Sequence, residues 1–203
     1  PGIPMNEPHT FVSANRAMVA VVSAIAPDQW GMRMPADFAS SYRPEIPTMR
    51  EVINYHAYDD AWVPDMLAGR TMDEVGRDKF DGDLLGDDPK GSYRRIAATA
   101  SEAAAATDDL DRVVHCSFGD YSVGEYFWQV NWFRTIRAHD LAKVIGCPLE
   151  LPPELVQAVF DQIAPNADLW RTLGVFGPAV PVADGAPLLD RLLAMCGRQP
   201  DSV

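Results

Sequence analysis

The stretch SVGEYFWQVNWFRTIRAHDLAKVIG, residues 122–146, decides what kind of fold this chain makes. Ser122-Val123-Gly124-Glu125 has the form of a capping box, in which the serine hydroxyl accepts from a free backbone N–H while the glutamate reaches back to the cap. Gly146, just ahead of Cys147-Pro148, supplies the stop. Between these signals Tyr126, Val130, Phe133, Arg137 and Asp140 or Leu141 fall on one stripe at helical spacing. The segment is therefore one long helix, and it carries Arg134, Arg137, His139 and Asp140 where a core-facing helix should turn apolar. Arg137 tends inward below Phe133. His139, about 200° further round, faces elsewhere.

Working outward, the same rules predict more helices. Phe11, Ala14, Met18, Val21, Val22 and Ile25 recur at helical spacing over 10–26, ahead of Pro27. Residues 27–47 hold Pro27, Pro35, Pro44 and Pro47 without a sustained period and read as an irregular connection. Thr48-Met49-Arg50-Glu51 is a capping box that opens a helix at Met49, running to Ala68 with a kink or early end at Pro64. An acidic, glycine-bearing stretch, 70–91, reads as loop with one short turn, and the alanine-rich segment 93–107 as a third helix. VVHCSF within 111–121 is a short β-like run serving as an extended connector. Pro152-Pro153-Glu154 opens a helix to Ile163, a short one is expected over 166–173, and Leu188, Leu189, Leu192 and Leu193 mark a last one before Gly197.

With little strand, the expected fold class is all-α: a four-helix bundle with one long crossover connection and extra C-terminal helices. One domain, 5–203, accounts for the length, and Pro1-Gly2-Ile3-Pro4 reads as an expression remnant ahead of a start at Met5. The chain is 47% hydrophobic and 23% charged, ordinary for a soluble globular protein, and holds no apolar run long enough to span a bilayer. No membrane partner is therefore expected, and a net charge of -12 repels phosphate backbones, so nucleic acid is disfavoured as a partner. Cys116, Cys147 and Cys196 form no CxxC pair, which fits a reducing cytoplasm. His115 beside Cys116 lies on the opposite face of an extended run and cannot activate it.

Bundles of this kind build sites from side chains on facing helices. On the second helix His56 shares the apolar stripe with Val52, Ile53, Val63 and Leu67, and Asp60 follows at i+4. His56 is then either a core histidine satisfied by one hydrogen bond or a ligand; Asp60 orients it, shares a metal with it, or faces solvent beside Asp59. Arg137 snorkels to the bundle end, pairs with Asp140 or with an acid on another helix, or stands as a fixed cation for a carboxylate, enolate or phosphate. GxSxG, HExxH, P-loop and GxGxxG patterns are absent.

Several segments taken together, PDQW at 27–30, REVINYH at 50–56, WVPDMLAG at 62–69, FGDYSVGEYFWQV at 118–130, HDLAKVIG at 139–146, FGPAV at 176–180 and DRLLAMCGRQP at 190–200, resemble the DinB-like four-helix bundles. The likeness is to the actinobacterial branch related to mycothiol-dependent maleylpyruvate isomerase. It implies a metal centre, zinc or nickel, built from one histidine of the second helix and an acid-xxx-histidine pair of the fourth, with mycothiol as thiol cofactor. The first ligand maps onto His56; the pair maps onto Phe133 and Arg137, neither of which can bind a metal. ASSYRPEIPTM at 39–49 also departs from the family's tryptophan-containing turn.

Three readings follow. The first is a metal-free isomerase or cyclase acting on a small carbonyl compound, with no cofactor, His56 and Asp60 as the acid–base pair and Arg137 on the developing oxyanion. The second is a metal- and mycothiol-dependent isomerase or S-transferase. The third is a non-catalytic protein that binds a small molecule or forms a homodimer.

Overall fold

The computed structural model describes residues 5–39 and 43–200; the 1–4 segment, and with it the reading of an expression remnant, lies outside them. Four long helices carry the architecture: α1 (Glu7–Ser23), α2 (Met49–Leu67), α4 (Pro89–Ala105) and α5 (Val123–Ile145), with the one-turn α3 (Met72–Val75) between the second and third. A hairpin of β1 (Val113–Cys116) and β2 (Gly119–Ser122) precedes α5, and α6 (Pro153–Ile163), α7 (Ala167–Thr172) and α8 (Leu188–Met195) complete an all-α fold with one small antiparallel ribbon.

The helix ends follow their caps. Thr48 accepts from the Glu51 N–H, and Ser122 and Glu125 form the reciprocal box that opens α5, whose C-cap Gly146 sits at φ 71 in the left-handed region. At Thr48 the box is not reciprocal, because the Thr48 hydroxyl donates to Glu51 Oε1 instead of the backbone N–H doing so; a reciprocal box of Thr71 with Glu74 forms the short turn expected in the 70–91 stretch, α3. Two helices begin before the apolar stripe does: Asn6 caps α1 by accepting from the His9 N–H, and Asp88 caps α4 by accepting from the Gly91 N–H. Pro64 does not end α2, which continues to Leu67; its missing N–H deprives the Asp60 carbonyl of an i+4 donor. The VVHCSF run is a paired strand rather than a connector, with Val113 opposite Ser122 and Cys116 opposite Gly119.

The apolar interior is in two parts stacked along the helices. One joins the C-terminal halves of α1 and α5 to the N-terminal halves of α2 and α4 and extends under α6 and α8, with Met18, Ile53, Ala97, Leu141 and Leu155 among its members. The other joins Phe11, Val63, Ala104 and Phe127 beneath the hairpin's Val114. Helices α1 and α5 thus run one way and α2 and α4 the other, which makes the 68–88 connection a crossover. Between the two cores lies a layer of buried polar residues: Asn15, His56, Asp60, Asn131, Arg134 and Thr135. Asn15 donates from Nδ2 to the Ala97 carbonyl and the Ser101 hydroxyl, both at 3.2 Å.

Close backbone packing joins α1 to α5, α1 to α4 and α2 to α4. Helices α2 and α5 stand further apart and meet through side chains. That gap is where the site lies.

Candidate functional site

The buried stripe of α5 runs through Phe127, Asn131, Arg134, Ala138 and Leu141, so Arg134 and not Arg137 is the arginine at its centre. Arg134 is 1% exposed. Its Nε donates to Asp60 Oδ1 at 2.9 Å, Nη2 donates to the same oxygen, and Nη1 donates to the Val130 carbonyl at 3.0 Å. The guanidinium carbon sits 4.8 Å from the ring centre of Phe11. Burial alone would lower the arginine's pKa, but the nearby Asp60 and Asp59 carboxylates overcome this and hold it above its ordinary value. Asp60 is therefore neither solvent-facing nor the partner of His56. Its second oxygen, Oδ2, is buried without a hydrogen bond.

One position earlier on α2, Asp59 borders a cavity of about 620 Å3 that fills the gap between α2 and α5. Tyr58 and Trp62 of α2, Tyr126 and Trp132 of α5, Phe118 at the hairpin tip and Trp170 of α7 contribute to its walls. Desolvation in these surroundings pushes the Asp59 carboxyl up to about 7; the Arg134 charge opposes the rise and the Asp60 charge adds to it. Tyr126 is pushed in the same direction by burial, which keeps its phenol protonated. Cys116 also borders the cavity, but burial raises its pKa and its Sγ donates to the Gly119 carbonyl, so it is no activated thiolate.

His56 lies outside this cavity wall. It is 2% exposed and stacks on Phe133 with ring centres 4.8 Å apart and planes 19° from parallel. Its Nε2 has no hydrogen-bond partner among the described residues, and burial, reinforced by Arg137 and Arg134, drops its pKa well below 6.5, so the imidazole is neutral. Arg137 is held between two phenyl rings, its guanidinium carbon 4.5 Å from the centre of Phe38 and 5.3 Å from that of Phe133. Its Nε has no hydrogen-bond partner among the described residues, and burial lowers its pKa. Of the alternatives for Arg137, pairing with Asp140 is reduced to a longer-range attraction, because Asp140 is in contact with Arg198 at 3.2 Å, with His139 buried alongside.

The structure thus joins His56, Phe133 and Arg137 in one stack and Asp60 with Arg134 in another arrangement, while the cavity belongs to Asp59. Residue spacing missed Asp59 and Arg134. The signal for Arg134 was present: the stripe 127, 131, 134, 138, 141 has the same helical period as the one containing Arg137.

A zinc or nickel centre of the kind the resemblance implies does not fit these residues. Next to His56 Nε2 stand a phenyl ring and a guanidinium, one without a lone pair and the other already cationic. Among the described residues no three His, Cys, Asp or Glu side chains group so as to hold a metal ion. Among the described residues no helix is long and apolar enough to cross a membrane. Set against family models, curated proteins and solved structures, the chain matches none.

Proposed function

We propose that this protein is a metal-independent acid–base enzyme of the isomerase or cyclase type, acting on a small carbonyl compound held between α2 and α5. In this reading the four long helices are a DinB-like bundle whose metal site has been replaced. The observation that carries the proposal is the Asp59 carboxyl, raised to about 7 and facing an aromatic cavity. A group poised there is present in both protonation states near neutrality, the condition under which proton transfer in either direction is most effective.

Asp59 as carboxylate takes a proton from the carbon beside the carbonyl. The C–H electron pair becomes the new C=C bond and the carbonyl π pair moves to oxygen. Asp59 as acid then returns the proton at another carbon, or to the oxygen, completing an isomerisation; in a cyclisation the enolate carbon instead bonds to a second carbonyl carbon of the same substrate, whose π pair moves to its oxygen and takes the proton from Asp59, and neither course changes the oxidation state. Tyr126, protonated and bordering the same cavity, is the hydrogen-bond donor suited to the carbonyl oxygen. Arg134, bound to Asp60, fixes the wall behind Asp59 and limits how far its pKa rises. His56 and Arg137 contribute packing at the rear of Phe133.

The test is exchange of carbon-bound protons for deuterium, followed by NMR in D2O over a panel of small ketones and aldehydes. Asp59→Asn should lose at least about a hundredfold in rate, the scale of a general base, while His56→Ala and Arg137→Ala stay within a few-fold. Full exchange by Asp59→Asn, or loss confined to His56→Ala, would move the chemistry back to the histidine.

A further inference from the structure

Among the described residues that border the cavity, only Asp59 and Arg134 carry charge, and Arg134 is already committed to Asp60. Once Asp59 ionises, the site holds one uncompensated negative charge. Among the described residues the Asp59 carboxylate has no hydrogen bond or ion pair; of the groups acting on it electrostatically besides Arg134, Asp60 adds like charge, and Tyr55 of α2, Tyr126 of α5 and Tyr93 of α4 are neutral phenols. Nine of the nineteen lining residues are aromatic in a chain that is 9% aromatic, so the ring enrichment is concentrated at this one place. Aromatic walls around a single carboxylate form a receptor for a cation, because each ring presents a negative face and the carboxylate supplies the counter-charge. A carboxylate or phosphate ligand would meet like charge with no free arginine or lysine to receive it.

The reaction has the same requirement. Enolate formation builds negative charge on oxygen, and a site usually offers a metal, lysine or arginine for it. Here the described residues of the cavity offer no free cation, and Arg137 is stacked behind Phe133. A substrate with its own cationic nitrogen would acidify the neighbouring C–H and offset the charge formed on oxygen.

From the aromatic cavity, the lone Asp59 and the committed Arg134, we infer that the substrate is an amine-bearing carbonyl compound whose ammonium lies among the aromatic rings beside Asp59. This rests on the cavity's being the reaction site, and the experiment separates the two. Benzylammonium, benzyl alcohol and benzoate are titrated into the full-length protein at pH 7 by calorimetry, in two buffers of different ionisation enthalpy, with tryptophan fluorescence reporting on Trp62, Trp132 and Trp170. Benzylammonium should bind at least tenfold more tightly than benzyl alcohol and release protons as Asp59 ionises; benzoate should bind most weakly. Asp59→Asn should remove the preference for the cation over the alcohol. If that variant does not fold, as judged by circular dichroism, proton release by the wild-type protein decides alone. Benzyl alcohol or benzoate binding as tightly as the ammonium would overturn the inference while leaving the cavity as a site. Absence of binding by all three would overturn both.

Discussion

Asp59 and Asp60 differ by about 100° of helix, and that rotation gives them different neighbours. Asp60 turns into the polar layer and meets Arg134; Asp59 turns into the cavity and meets rings. The native state therefore holds a proton on Asp59 at pH values where the unfolded chain has lost it. The sign follows from linkage: between about pH 4 and 7 the native state binds more protons than the unfolded state, so this group lowers stability progressively as pH rises through that window, by up to about 4 kcal/mol. Asp59→Asn lacks the effect. Urea unfolding should find the variant's advantage over wild type larger at pH 8 than at pH 4, and a difference independent of pH would show that the carboxyl is not raised. His56 carries the opposite sign, since its depressed pKa costs stability as pH falls below about 6.5.

Helices α2 and α5 are held across their gap by one buried ion pair and one aromatic stack. Removing one partner strands a charge, so Asp60→Leu or Arg134→Met alone should each cost about 3–5 kcal/mol. The double replacement Asp60→Leu with Arg134→Met should recover most of that loss, and denaturant unfolding of the four proteins measures the coupling. Additive losses would mean that the two side chains do not act as a pair. The elements themselves were legible because their signals are local: the Thr48 and Ser122 caps that open α2 and α5 sit where the sequence puts them, only the second as a reciprocal box, and Gly146 and Gly197 end their helices. Which stripe of α5 is buried was not legible. Two stripes satisfy the helical period, and the choice depends on Asp60 of α2, a partner distant in sequence.

Across the whole molecule the all-α class could be read from the chain, because capping and stripes together leave few alternatives, while which connection crosses over was not placed. The site could not. The altered titration of Asp59 arises from walls supplied by α2, α5, the hairpin and α7, brought together only by the fold. The resemblance directed attention to His56 and Arg137, whose positions the structure fills with a packed aromatic stack beside the cavity. Everything proposed about function turns on the ionisation of one carboxyl. It is measured directly by following the side-chain carboxyl carbon of Asp59 by NMR as pH is varied, with Asp59→Asn to assign the signal. The account predicts a midpoint of about 7; a midpoint near the ordinary aspartate value of about 4 would contradict it.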